Sequence, residues 1–139
     1  MRKILLSVAM CAMSLQGFAQ LTANNTLTPT QLVNNILLGS GVTATNITYT
    51  GATVSRSSFT CAGACNLGVS SGVFLSSGEA IGALAPASLL KSTGVGGAGD
   101  AQLNAIVSPQ LTQDATILEF DFTVASDSVK FEYVFGSEE

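Results

Sequence analysis

The residues of this chain that could do chemistry are few, and two cysteines come first. Cys61 and Cys65 are separated by three small residues. Such a short, flexible spacing lets the chain turn back until the two Cα atoms reach the separation of about 4.4–6.8 Å that a disulfide needs. In an oxidising compartment the pair predicts a structural disulfide, and a free or redox-active pair is the alternative. A zinc site would need two further Cys or His ligands.

Three carboxylates are candidates for a metal site. Asp100 follows a glycine-rich stretch, and Glu138 and Glu139 are the last two residues. The functional interpretation is an oxygen-rich Ca²⁺ site, as in many extracellular modules. The alternative is that Asp100 caps a helix and that both glutamates lie at a solvated strand end. Because Ca²⁺ takes about 6–8 oxygens and the sequence supplies few, the alternative is favoured, and no other cofactor is predicted.

Histidine does not occur anywhere in the sequence. This excludes Ser-His-Asp and Cys-His activation of a nucleophile, and it also removes imidazole as a metal ligand and as a general base. Any catalysis would therefore rest on carboxylates, and none of them are convincingly paired. We predict no catalytic residues and no enzymatic activity.

The N-terminus predicts export. Two basic residues precede an apolar stretch from Ile4 to about Leu15, and small residues then lead to a cleavage site between Ala19 and Gln20. This is the order of a secretory signal peptide, here residues 1–19, which the export machinery would recognise. The apolar stretch is shorter than the roughly 20 residues that span a bilayer as a helix, so a transmembrane segment is not predicted.

The charge of residues 20–139 limits the class of partner. They contain three basic and nine acidic residues, and the basic residues are not clustered. Phosphate backbones require clustered Lys and Arg, so nucleic acid is excluded as a partner. Charged residues make up 10% of the whole chain, against about 25% in ordinary domains. A hydroxyl-rich, glycine-rich composition of this kind is typical of a secreted all-β domain.

The elements before residue 100 are predicted from short local patterns. Residues 20–28 are polar and indicate a flexible lead-in. An amphipathic helix is predicted over residues 29–38. Thr28 can cap it, Pro29 stands at the first helical position, and Gly39 follows the last apolar residue. Alternation then predicts a strand at about 45–54, closed either by Gly51 or by a loop at Arg56–Ser58. A second strand is predicted at about 67–77, followed by a long surface loop at 78–99.

The last third of the chain has the strongest strand pattern. Asp100 is expected to cap a short helix that ends near Ile106. Apolar residues then alternate over 117–124 and again over 129–135, and the polar segment 125–128 between them predicts a β-hairpin. Together these elements predict a mostly β fold, an antiparallel β-sandwich-like or jelly-roll-like domain that is incomplete, with one short N-terminal helix packed on the sheet.

Six short motifs occur in order from Leu32 to the last residue. They are the helix Leu32–Gly39, the segments Asn46–Gly51 and Gly72–Gly78, the pair Gly99-Asp100, Leu118–Phe122, and the terminal Phe135-Gly136-Ser137-Glu138-Glu139. This ordered set resembles the choice-of-anchor L domain family. Family members often carry a second acidic residue shortly after the Gly-Asp pair, where this chain has Gln102.

The resemblance implies a domain at the N-terminal end of large bacterial surface proteins. Their C-termini carry alternative anchoring or sorting domains, often those served by type IX secretion and gliding motility, and the domain itself has no established catalytic activity. The family's domain continues beyond the terminal motif. We therefore expect residues 29–139 to be the N-terminal part of such a domain, truncated at its C-terminal end.

The function expected from these observations is binding or adhesion outside the cell. The chain would be secreted or held at the cell surface, and its partner would be an unknown extracellular ligand, either protein or glycan. One alternative is the N-terminal part of a secreted hydrolase with its active site in missing sequence. Another is a structural spacer of a surface layer.

Overall fold

The computed structural model describes residues 20–62, 67–84 and 93–136 of the 139-residue chain. In this part of the chain five strands form two antiparallel sheets. The strands are β1 (Gln20–Asn24), β2 (Val42–Thr50), β3 (Arg56–Ala62), β4 (Ser71–Leu75) and β5 (Ile117–Val124). The helical elements are α1 (Pro29–Gln31), a π-helix that continues it (Leu32–Leu37), 3₁₀ turns at Thr53–Ser55 and Ala80–Leu84, and α2 (Ala101–Val107). The predicted mostly β, antiparallel fold with a short N-terminal helix is confirmed.

The first sheet has the order β1-β3-β4, with β3 in the centre. Its register pairs Leu21 with Cys61 and Phe59 with Gly72. The ring of Phe59 lies over Gly72 so closely that a Cβ there would come within 3.1 Å of the ring. The aromatic ring thus covers the backbone of a residue that has no side chain of its own.

Two predictions fail in this sheet. The flexible lead-in at residues 20–28 is wrong for Gln20–Asn24, which form β1, whereas the predicted helix cap at Thr28 is confirmed. The loop at Arg56–Ser58 is also wrong, since these residues open β3 and are buried. The predicted strand at 67–77 is present only as β4, which covers Ser71–Leu75. Both missed strands are rich in polar residues. Strand β1 lies at the edge of the sheet, whereas the polar start of β3 is buried because β3 is the central strand.

The second sheet pairs β2 with β5. Strand β2 begins earlier than the predicted 45–54 and ends at Thr50, directly before Gly51, which is the earlier of its two predicted ends. Its register shifts between Thr45 and Thr48, where Asn46 adopts a left-handed φ of 51°. This is a β-bulge, and asparagine tolerates the left-handed conformation better than most residues do.

The predicted hairpin between 117–124 and 129–135 does not form. Strand β5 is present, but its partner is β2, and residues 129–136 have no strand structure. Alternation of apolar residues indicates which face of a strand is apolar, but it does not specify which strand lies alongside.

The helical segment connects the two sheets. Helix α1 begins with a full capping box, in which Thr28 and Gln31 bond to each other's backbone N–H groups. The π-helix contacts β2 of the second sheet and both β3 and β4 of the first. Leu32 and Val33 are fully buried there. The predicted helix at 29–38 is confirmed, and its two buried side chains lie at the centre of the core.

Candidate functional site

The predicted disulfide and cleavage site lie partly outside the described residues. Cys61 lies in β3 and is disulfide-bonded. Cys65 is outside the described residues, so its pairing with Cys61 stays a prediction. Ala19 is also outside them, while Gln20 is the first residue of β1.

Of the three predicted calcium ligands, only Asp100 lies in the described part of the chain. Its carboxylate accepts a hydrogen bond from the backbone N–H of Leu103 at 2.9 Å and caps helix α2, as the alternative interpretation expected. Residues 20–62, 67–84 and 93–136 contain no group of three Cys, Asp or Glu residues placed to hold a metal ion. Glu138 and Glu139 fall outside these ranges, so the calcium site stays a prediction.

Asp100 belongs to a clasp, formed with Asn104 and Thr112, that ties helix α2 to the segment after it. The backbone N–H of Asp100 donates to the Thr112 hydroxyl at 3.0 Å. The backbone N–H and hydroxyl of Thr112 both donate to the Asn104 side-chain oxygen, at 2.6 and 2.7 Å. A Cβ on Gly99 would overlap the carbonyl and hydroxyl oxygens of Thr112. The Gly-Asp pair is therefore required by packing and capping.

A second aspartate orders the glycine-rich loop before the clasp. The Asp114 carboxylate accepts hydrogen bonds from the backbone N–H groups of Val95 at 3.1 Å and Gly97 at 2.5 Å. The backbone N–H of Asp114 donates in return to the Gly97 carbonyl at 3.1 Å. The part of the predicted surface loop at residues 94–99 is thereby fixed to the segment that precedes β5.

The junction between the two sheets holds a buried cation. Arg56, the first residue of β3, is only 9% exposed, and its guanidinium carbon lies 4.9 Å from the centre of the Tyr49 ring in β2. Its Nε and Nη1 atoms are fully buried and have no hydrogen-bond partner among the described residues. Nearby, the Thr116 hydroxyl donates to the Ser76 carbonyl at 2.7 Å and also joins the two sheets.

The Tyr49 hydroxyl donates to the Ala52 carbonyl at 2.6 Å. Burial raises the pKa of Tyr49 above its ordinary value, and the positive charge of Arg56 and a hydrogen bond with Thr116 offset part of that rise. The phenol therefore stays protonated to a higher pH than a free tyrosine.

Phe122 of β5 and Phe131 form an exposed aromatic pair beside the second sheet, which we call the aromatic edge. Phe122 is 43% exposed and meets the ring of Phe131 edge-on at 5.7 Å, while Tyr133 and Phe135 are 87% and 86% exposed. This edge adjoins a groove of about 480 Å³ beside the bulge of β2. The groove is lined by Asn46, Thr48, Leu118, Glu119, Phe120, Asp121 and Phe122.

The groove has a fixed polar side. The side-chain amide of Asn46 donates to the Asp121 carboxylate at 2.6 Å, which spans the bulge. Glu119 lies opposite Thr48 and is exposed. Carboxylate, amide and hydroxyl groups thus line the groove together with exposed aromatic carbon.

Sequence reasoning missed Arg56, Asp114 and the Asn46–Asp121 pair. Arg56 carried a usable signal, because it is the only arginine in residues 20–139. The other two depend on strand pairing and loop closure between distant segments, which no local pattern reveals.

Comparisons with known proteins identify the domain. No helix in the described ranges has the length and hydropathy of a membrane span. No curated protein and no solved structure matches the chain. The family model for the choice-of-anchor L domain matches residues 20–139. This match confirms the resemblance inferred from the motifs, and the chain belongs to the choice-of-anchor L domain family.

Proposed function

We propose that this chain is the N-terminal part of a larger exported protein, in which it acts as a non-catalytic binding or adhesion module at the bacterial surface. Family membership supports a surface-anchored, exported protein, and the family is generally non-catalytic. The single observation that favours binding is the groove on the second sheet, where the exposed ring of Phe122 lies beside the hydrogen-bonded side chains of Asn46 and Asp121. Exposed apolar patches rimmed by polar groups are typical of interaction sites.

A glycan fits the groove best. A sugar ring offers apolar C–H faces to aromatic carbon and hydroxyl groups to carboxylates and amides. Phe120 and Phe122 supply the aromatic carbon, while Asn46 and Asp121 supply the polar groups. A few fixed polar groups in an otherwise apolar site are what orients a small ligand.

Binding to a glycan array tests this assignment. Phe122→Ala removes a ring that lines the groove, so we expect the affinity for any bound glycan to fall at least about tenfold, a loss of about 1.4 kcal/mol. Tyr133→Ala is the matched control, because Tyr133 is exposed but does not line the groove. Equal losses in both variants, or glycan binding that Phe122→Ala leaves unchanged, would contradict the groove as the ligand site.

We also propose that further strands of the longer protein cover residues 129–135. This segment alternates apolar and polar residues as a strand does, yet it is exposed and pairs with no strand in the described part of the chain. Extending the chain beyond Glu139 with its natural sequence should therefore lower the fluorescence of a dye that reports exposed apolar surface. An unchanged signal would contradict this part of the proposal.

Export, cleavage after Ala19 and the Cys61–Cys65 disulfide complete the proposal. Type IX secretion and a role in gliding would depend on a sorting domain downstream. Mass spectrometry of the exported protein should find an N-terminus at Gln20 and, without prior reduction, no alkylation of either cysteine. A mature chain that retains residues 1–19, or two alkylated cysteines, would contradict these steps.

A further inference from the structure

Arg56 is a buried charge that has no counterion among the described residues. The one ion pair among the described residues joins Lys130 and Glu132 at 2.5 Å on the surface. Of the described carboxylates, Asp100 caps a helix, Asp114 holds the glycine-rich loop and Asp121 accepts from Asn46. None of them bonds to the guanidinium of Arg56.

The contact with Tyr49 does not complete this environment. A cation–π contact compensates part of a cation's lost hydration, but it leaves the N–H donors without acceptors. An unpaired charge that is removed from water is costly, and buried ions in proteins are normally paired and hydrogen-bonded. With Nε and Nη1 of Arg56 both unpartnered, the junction is set up to receive an acceptor.

The properties of the junction define the chemistry of that acceptor. One guanidinium carries one positive charge, so a singly charged anion neutralises it without leaving excess charge in a buried place. Because Arg56 is 9% exposed, the acceptor must also be small or attached to a slender side chain. A carboxylate meets both conditions, and its two oxygens match the planar fork of donors on a guanidinium.

We propose that Arg56 is a receptor for a single carboxylate, which binds at the junction of the two sheets. The carboxylate belongs to a free small acid. The bound group neutralises the guanidinium and accepts its unpartnered N–H groups. This site is separate from the groove on the second sheet, and it does not depend on the function proposed above.

The test follows the Nε–H signal of Arg56 in the ¹⁵N NMR spectrum of the full chain. Arg2 is the only other arginine, so the signal that disappears in Arg56→Lys is that of Arg56. Sodium formate is the probe, titrated against sodium chloride at constant ionic strength. Formate should shift the signal until the site is saturated, and it should slow the exchange of the Nε hydrogen with water about tenfold. A tenfold change corresponds to about 1.4 kcal/mol.

A carboxylate of the protein itself would overturn the proposal of a free acid, and it gives a different result. The Nε–H signal should then exchange slowly without formate, ignore added formate, and shift when the carboxylate is protonated at low pH. A signal that exchanges rapidly and responds to neither formate nor pH would overturn the proposal and leave water as the acceptor.

Thermal unfolding supplies an independent readout. With a free acid as the source, formate should raise the Tm of the wild type relative to chloride, since a ligand selective for the native state stabilises it. The rise should be lost in Arg56→Met and kept in Lys130→Met, which removes a fully exposed cation. An equal formate effect in all three proteins would show a nonspecific salt effect and overturn the site.

Discussion

Gly99→Ala should destabilise the domain far more than an ordinary glycine-to-alanine change. The new Cβ would overlap the carbonyl and hydroxyl oxygens of Thr112. The carbonyl belongs to the backbone and cannot rotate away, so the segment around Thr112 must move. That movement breaks the bond from the Asp100 N–H to the Thr112 hydroxyl and both bonds from Thr112 to Asn104.

The magnitude follows from these contacts. A neutral hydrogen bond contributes about 0.5–1.5 kcal/mol net, so the three bonds contribute about 1.5–4.5 kcal/mol. Distortion of the Asp100 cap adds up to about 1 kcal/mol. The lower entropy of the unfolded alanine chain returns about 0.4–1 kcal/mol. We therefore expect the free energy of unfolding to fall by about 3 kcal/mol, the middle of a range of about 0.5–5 kcal/mol.

Urea unfolding followed by circular dichroism measures this loss, and Gly39→Ala is the matched control. A Cβ on Gly39 would have no atom within 4 Å, and Gly39 does not have a left-handed φ. Its substitution should change the stability by less than about 1 kcal/mol. If Gly99→Ala is as stable as Gly39→Ala, the clasp does not constrain the fold as described.

Three further predictions concern the core, the junction and calcium. Leu32→Ala should lower the free energy of unfolding in urea by about 2–5 kcal/mol because Leu32 is fully buried. Ile36→Ala, at a 37% exposed position one turn later, should lower it clearly less. Equal losses in the two variants would contradict the assignment of the core. Because the folded pKa of Tyr49 is raised, the unfolded state loses its proton first as pH rises above about 10. Stability should therefore fall in that range, and Tyr49→Phe should show a shallower fall; equal slopes would refute the role of burial. If the calcium hypothesis is right, millimolar Ca²⁺ should raise the Tm of the wild type but not that of Asp100→Asn. The amide oxygen of Asn can still cap the helix, so this variant removes only the charge. An unchanged wild-type Tm would leave Asp100 as a cap alone.

The helices were predictable because their signals are local. Thr28 and Gln31 satisfy each other's backbone across one turn, and Asp100 reaches only as far as Leu103. Interactions of this range depend on residues that are adjacent in the sequence, and a reader of the sequence can see them.

The strand pairing was not predictable in the same way. Strand β5 shows its alternation plainly, but it pairs with β2, which lies about seventy residues earlier in the chain. The site residues that were missed from the sequence also depend on pairing between distant strands. Arg56 opens a strand that its neighbours bury, and Asn46 meets Asp121 only because β2 bulges opposite β5. Burial and register are set by the whole domain, whereas composition is a property of the segment.

The connection between the two sheets also has a dynamic consequence. Side chains join them where β2 ends and β3 begins, through Tyr49 with Arg56 and Thr116 with Ser76, and the π-helix spans both sheets. Strands β2 and β5 otherwise pair only with each other in the described part of the chain. Cooperative units of a protein often coincide with such supersecondary pieces. The two-stranded sheet is therefore expected to open as a separate foldon, with the junction as its hinge, while β3 stays protected to the global limit.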